Sequence, residues 1–537
     1  GGTSHPEHTH EDGQSGGVRS RRVGAVAAYS YDQAQQNPYV EVPCSVGRLP
    51  GGMGQAVQAT GSPTRYKAAR NLDLSIGGIR RLAPDWVEET FPGLPAAAFP
   101  GENDVRQFVV GPLAGSPFQT VFALVRDRVY QRDLGTEAWV LSHAFGAGQA
   151  PQQAVWFGPP GQPPALWVAT GGGELWQFDG ATWTQAAAVF AAGILAERVE
   201  AVADQMYVGS GSTLRLTGPG TDPMAVASWG GAIQVGDDRG RISGLRAVGS
   251  TVFCFKWTGV YSLNPDGSVN ELFPEFRLRT SVDLGRTAAP WSDRLWFAAD
   301  PAYYRLDEAG TLEPIGPERV VDHGAGVPGA VVSGAGHNDW FFYAVVYDPV
   351  TNASALLKHG TWTNPETTTG YTFADAWHGA LIVWEARRVT RCDVVQFEAS
   401  NPVDFPPPTL WVGFRDGTVA RAVLPRATPD PAADPNCRFL SAGTLDWPDH
   451  DAGAPADYKH WRKVAVAGRG LDADHYVQVE LAIDEAAVGL DIGAHLDAVG
   501  EVVVPTGPAR VGKRVRVRER LVGAGTSTAA VDAVVLY

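Results

Sequence analysis

Cysteine is scarce in this chain, and its four copies are scattered at Cys44, Cys254, Cys392 and Cys437 with no CxxC pair. That spacing argues against a zinc ribbon or a redox motif. Cys254, inside TVFCFKW, reads as a buried small hydrophobe. Only three methionines occur, too few for an adaptable Met-rich groove. Charge is thin at 19% of residues, and 43 Lys and Arg face 58 Asp and Glu for a formal net charge of −15. Phosphate backbones are held by clustered Lys and Arg, so no nucleic-acid partner is expected. The one dense basic run, RVGKRVRVRER at 510–520, alternates Val with Arg or Lys and reads as a strand with one solvated face. No apolar run approaches the ~18 residues of a membrane-spanning helix, so no membrane insertion is expected. Helical periodicity is nearly missing too: AAAVFAAGILAER is the best candidate, and it holds a glycine. No GxSxG elbow, P-loop or dinucleotide fingerprint occurs.

Turn formers and aromatics are what the chain has in quantity. Its 63 glycines and 39 prolines imply many turns, and its 17 Trp, 15 Tyr and 21 Phe suit strands. At 537 residues it is too long for one ordinary core, so a large closed architecture or several domains is expected.

One theme repeats through the middle. An apolar strand begins at 120 (TVFALV), 164 (PALWVA), 205 (QMYVG), 251 (TVFCF), 294 (RLWFA), 339 (DWFFY) and 380 (ALIVW). Successive starts differ by 41 to 46 residues. A second strand follows each closely, as in RVYQRD, ELWQFDG, TLRLTG, GVYSLNPDG and YYRLDEAG, and often ends in a Gly turn. Asp179-Gly180 and Asp266-Gly267 supply the positive φ that tight hairpins need. Milder apolar segments such as RVEAVA and SGLRAVG precede each first strand. Three or four strands every ~43 residues is the length of a propeller blade. The spacing predicts an all-β fold: a β-propeller of about seven blades, alternatively eight, with Phe122, Trp167, Tyr207, Phe253, Trp296, Phe341 and Ile382 on equivalent strands. Two outlying hairpins, NLDLSIGGIRRLAP from 71 and TLWVGFRDGTVARAVLP from 409, are expected to meet and close the ring.

The propeller is bounded at 61–425, and RATPDPAADPN at 426–436 reads as a linker. Residues 437–537 hold five or more short strands and predict a C-terminal β-sandwich or jelly roll. Residues 1–60 form an extended N-terminal arm, opening GGTSHPEHTHEDGQSGG, which is neither a signal nor a transit peptide. Ordering its first 17 residues would cost on the order of 20 kcal/mol of backbone entropy, and its few apolar groups cannot supply that. The arm is therefore expected to contact another protein chain, for example by adding 23–31 to a neighbour's sheet edge.

Candidate chemistry is sparse. His8, His10 and Asp12 fit an H-x-H-x-D metal pattern, but Gly13 follows where a histidine is needed and no strand precedes. They read as a polar tail, so no metal site is assigned. Sialidase-type turns need S-x-D-x-G-x-x-W; Asn264-Pro265-Asp266-Gly267 lacks its Ser and Trp, and FDGATW has the wrong spacing. The acid pairs Asp237-Asp238 and Glu88-Glu89 lie in turn or polar segments. Trp167, Trp176, Trp296, Trp340 and Trp384 fall on repeat strands and read as packing between blades. Trp461 in KHWRKV reads as core, with His460 beside it and Lys459 and Arg462 free to face solvent or a partner. No catalytic, cofactor-binding or metal residue is assigned, and the chain is expected not to be an enzyme.

The run from Tyr66 (YKAARNLDLSIGGIRRLAP), through the repeats, to KHWRKVAVAGRGL and VQVELAID resembles propeller-bearing tail proteins of tailed bacteriophages. The resemblance spans roughly 66–537. It implies a virion structural role in tail assembly or host attachment, located in the phage tail. The partners it implies are other tail proteins, copies of the chain itself and a host cell-surface glycan or receptor. The rival reading is a secreted propeller that binds or cleaves cell-surface glycans.

Overall fold

The computed structural model describes residues 44–46, 68–73, 80–112, 119–264, 267–272, 284–299 and, with interruptions, 302–536. The fold is almost entirely β, built of four-stranded antiparallel sheets that succeed one another along the chain. Sheet one comprises Val105–Pro112, Gln119–Val125, Arg128–Arg132 and Trp139–Ala144. Sheet two runs from Pro151–Phe157 to Trp183–Gln185, sheet three from Arg198–Val202 to Ile233–Gln234. Sheet four runs from Ile242–Val248 to Val269–Leu272, sheet five from Ala289–Trp291 to Leu312–Pro314. Sheet six takes Ala330–His337, Phe341–Asp348, Ala353–Thr363 and Thr372–Trp384. Sheet seven takes Val389–Val395, Thr409–Phe414 and Thr418–Val423, and its fourth strand, Val87–Thr90, comes from the other end of the chain.

Second strands are apolar on both faces because each is packed on both sides; Ala165–Thr170 is buried at every position. Phe122 and Leu124 meet Leu166 and Val168 of sheet two, while Trp167 on the same strand meets Met206 and Val208 of sheet three. The same packing joins sheets three and four, four and five, five and six, and six and seven. Sheet seven packs in turn on sheet one, through Val395, Trp411 and Val419 against Phe108, Tyr130 and Trp139. Each interface buries its own apolar cluster, and burying a large apolar side chain stabilises by about 1.5–3 kcal/mol.

Six of the seven strand assignments fall as expected, with Phe122, Trp167, Tyr207, Phe253, Trp296 and Phe341 on second strands. Ile382 does not. It lies on Thr372–Trp384, the last strand of sheet six, and the second strand of sheet seven is Thr409–Phe414 with Trp411. ALIVW looks like a repeat core because its strand is no edge: it lies between Ala353–Thr363 and Ala68–Arg70. The closing hairpins are corrected as well. Val87–Thr90, not the 71–84 hairpin, pairs with Thr418–Val423. Leu72 and Leu82 instead join an eighth cluster with Trp447, Val464, Val477 and Val517. The candidate helix shrinks to Ala187–Ala191, followed by Gly193 at φ +75°.

That eighth cluster is the core of the C-terminal unit. Lys463–Arg469 pairs with Gly500–Val503 and with Ala530–Leu536, and Val464, Val466 and Val531 of this group belong to the cluster. Ala442–Asp446, Val515–Val522 and Tyr476–Ile483 form a second paired group, which contributes Leu445, Val477 and Val517. The latter group is continuous with sheet six through Ala68–Arg70, giving one nine-stranded sheet. The basic run alternates as expected: Val515, Val517 and Leu521 are buried, and Arg518 pairs with Asp446 at 2.6 Å on the outer face. Glu519 breaks the pattern. Its carboxylate is fully buried, 2.9 Å from the Arg80 guanidinium and 2.5 Å from the Trp447 indole nitrogen.

Within the arm, the described strand Cys44–Val46 pairs with Ala530–Leu536 of its own chain. The stretches 1–17 and 23–31, on which the expected contact with another chain rests, lie outside the described residues.

Candidate functional site

The first strands of the sheets lie side by side and share one irregularity. Five carry a β-bulge near their beginning, at Arg106, Gln152, Ser243, Val332 and Thr390. A bulge re-aims the side chain next to it. Here those residues are Gln107, Gln153, Gly244, Ser333 and Arg391; the first two and Ser333 tie one sheet to another, and Arg391 reaches the short helix Leu284–Thr287. Gln107 pairs both ways with the backbone of Ala154 at 2.9 and 2.8 Å, its amide standing in for a peptide group. Gln153 does the same with Leu245. The Ser333 hydroxyl joins the Cys392 backbone. Arg391 donates to the carbonyl of Arg286 at 2.8 Å and is clasped by Asp393, whose other contact is the Phe108 N–H at 2.8 Å. At Gly244 the backbone of Gly285 comes so close that a Cβ would sit 2.7 Å from the Gly285 Cα, so both positions need glycine.

Charge concentrates along these strands. Arg198 donates to Ser243 O and Arg246 to Ala288 O, both at 2.8 Å. Burial pushes the Glu200 carboxyl up to about 7, against the opposing pull of Arg246. Burial likewise pulls Arg246 down to about 10, with the charge of Arg391 adding to the effect. Burial also raises Asp104, although the guanidiniums of Arg286, Arg415, Arg388 and Arg106 all act the other way.

Glu200 therefore holds its proton more tightly in the folded chain than in the unfolded one, so stability should fall as pH rises from 4.5 towards about 7. We expect a loss on the order of 2 kcal/mol once solvent screening of this half-buried group is allowed for. Glu200→Gln should lack that loss. Urea midpoints at about pH 5 and about pH 8 check this, and equal pH dependence in both proteins would refute it.

Two pockets open on the rim where first strands begin and second strands end. One, of about 590 Å³, is lined by Gln152, Glu197, Arg198, Arg239, Arg241, Ser243 and Trp257. The other, of about 500 Å³, has Phe99, Arg387, Arg388, Phe414, Arg415 and Asp416. Each combines guanidiniums with an exposed aromatic ring, Trp257 at 46% and Phe99 at 61% exposure. Such a lining suits an anionic ligand that also offers an apolar face.

The residues singled out from sequence sit elsewhere. His8, His10 and Asp12 lie outside the described residues, as does Asp266. Glu88 pairs with Arg387 at 2.6 Å, and Glu89 with Arg421 and Arg132. Trp167 and Trp296 are fully buried between sheets, Trp384 and Trp461 nearly so, and His460 is exposed. Cys254, Cys392 and Cys437 are buried, and burial pushes each thiol up to about 12. Sequence reasoning missed Glu200, Arg246, Arg391 and Asp393. Their signal was a charged residue inside an otherwise apolar strand, as in RVEAV, GLRAV and VTRCDVV.

No protein-family model matches the chain, and no curated protein matches it either. Among solved structures, a chain of the mitotic checkpoint complex aligns at a TM-score of 0.38 and 13% identity, over 64% of this chain and 95% of that one. The computationally designed Ika8 protein aligns at 0.36 and 10%, over 63% and 100%. The extracellular domain of the putative hybrid two-component system BT4673 from B. thetaiotaomicron aligns at 0.38 and 9%, over 80% and 47%. Likenesses this distant say nothing of what the chain binds or does.

Proposed function

We propose that the chain is a non-enzymatic structural protein of a bacteriophage tail: a seven-bladed β-propeller fused to a C-terminal β-sandwich, acting in tail assembly and host-surface attachment. The observation that carries the structural part is the seam between the two units. Ala68–Arg70 pairs with both sheet six and Ala442–Asp446, so one sheet runs from sheet six into the C-terminal unit. Beside it, Lys358 of sheet six holds Asp73 in a buried pair at 3.0 Å. A rigid, doubly sewn body suits a load-bearing component better than an enzyme that must open and close. The ring reading draws on the seven consecutive sheet interfaces and on Val87–Thr90, which ties chain start to chain end and covers the outer edge of Thr418–Val423. The phage assignment draws on the sequence resemblance. Catalysis of glycan cleavage needs two carboxylates across a bond. Among the described residues, Glu197, already paired with Arg241 at 2.8 Å, is the one carboxylate lining the larger pocket.

The test is incorporation. Deleting residues 1–43, which spares the Cys44–Val46 strand, should leave the folded body's melting temperature unchanged and abolish its co-sedimentation with phage particles. Normal incorporation of the shortened protein would refute the arm's role in assembly. Absence of the full-length chain from particles would refute the tail reading itself.

A further inference from the structure

We propose that the pocket beside Trp257 is a binding site for an acidic saccharide, one or two sugar units carrying a carboxylate. The proposal rests on the reading of the chain as a binding protein and names the chemical class that it would engage at a host surface.

The chain carries −15 overall, yet among the described residues this pocket presents Arg198, Arg239 and Arg241 against the single carboxylate of Glu197. Three sheets build it: Gln152 from sheet two, Arg198 from sheet three, and Arg239, Arg241, Ser243 and Trp257 around sheet four. Its floor is pre-organised. Arg198 is pinned by the carbonyls of Ser243 and Glu197, at 2.8 and 2.7 Å. The Trp257 indole N–H donates to Arg239 O at 3.2 Å, and a Cβ on Gly240 would sit 2.8 Å from that nitrogen, so the ring rests against bare backbone. A tryptophan held in this way yet 46% exposed loses little entropy when a flat ligand covers it.

The ring's electron-rich face accepts the C–H face of a pyranose, guanidiniums grip a carboxylate, and the Gln152 amide suits sugar hydroxyls. About 590 Å³ matches a small-ligand pocket and is no groove for a polymer backbone. A nucleic-acid strand is disfavoured further by the chain's overall negative charge.

The experiment is calorimetric titration of the full chain with digalacturonate and sialyllactose, with lactose as the neutral control and adenosine monophosphate as a competing anion. We expect saturable binding of at least one acidic sugar, and about tenfold or weaker binding of lactose, equivalent to ~1.4 kcal/mol. Trp257→Ala and Arg239→Ala should each weaken the acidic sugar about tenfold, while Trp257→Phe retains most of the affinity. Both side chains are exposed, so melting temperatures should not move, which separates lost binding from lost folding. The proposal is overturned by no saturable binding of either acidic sugar, by lactose binding equally well, by tighter binding of adenosine monophosphate, or by indifference to Trp257→Ala. Particle incorporation of the unaltered full chain is measured alongside. Incorporation with a failed titration removes the saccharide site and leaves the tail assignment standing; absence from particles with a successful titration does the reverse.

Discussion

Replacing Arg80 with leucine should destabilise the protein by about 3–5 kcal/mol, because it strands the Glu519 carboxylate in the C-terminal core. Both side chains are fully buried, 2.9 Å apart, and the Arg80 guanidinium also lies 5.4 Å from the centre of the Trp447 ring. Burial already pushes the Glu519 carboxyl above its ordinary value, and Arg80 is the first of the groups that hold it down. Without Arg80 the carboxyl rises further. A carboxyl whose folded pKa exceeds its unfolded one contributes most below the unfolded value of 4.5, and that contribution is lost as pH climbs through the folded pKa. The variant should thus be least impaired in acid and worst at neutral pH. Arg80→Leu with Glu519→Gln should recover most of the loss, since the amide oxygen still accepts from Trp447 and no charge is buried. Urea denaturation of the three proteins measures this; a double variant as weak as the single one would show that packing around Arg80, not charge, is what matters.

The second large effect is expected where sheet seven meets sheet one. Asp393 clasps the buried guanidinium of Arg391 and accepts the Phe108 N–H at 2.8 Å. Asp393→Ala removes both contacts and leaves a charge that is 4% exposed without its carboxylate. We expect a loss of about 3–5 kcal/mol. Asp393→Asn keeps an acceptor for Phe108 and should cost less. The Phe108 amide reports directly: its hydrogen exchange should accelerate in Asp393→Ala and stay near wild type in Asp393→Asn. Unchanged protection in the alanine variant would mean that the apolar cluster of Phe108, Trp139 and Trp411 alone holds this interface.

Both sites depend on residues far apart in the chain, which is why neither was legible in its sequence. The repeat itself was legible. Second strands such as Ala165–Thr170 are buried on both faces, so their residues are apolar wherever the strand recurs, and a ~43-residue spacing survives in the order of the residues. The same rule misled at 380. Burial by a neighbouring strand makes ALIVW apolar whether that neighbour is close in the chain or, as here, Ala68–Arg70 from far nearer its start, through the Arg70–Ala380 pairing.

By itself, then, the sequence determined the features that local pattern dictates: all-β character, the approximate length of each sheet, the alternation of Val515–Val522 and the core position of Trp461. Tertiary structure decided everything that rests on long-range pairing. It chose Val87–Thr90 as the fourth strand of sheet seven, sent Leu72 and Leu82 into the C-terminal core and joined that unit to sheet six. It also gathered Gln152, Arg198, Arg239, Arg241 and Trp257 around one pocket. The physical reason is that strand propensity is set by a residue's immediate neighbours, whereas pairing partners are chosen by the total area buried when distant segments meet. Charged residues on an exposed rim leave no periodic trace, so the pocket exists only in three dimensions.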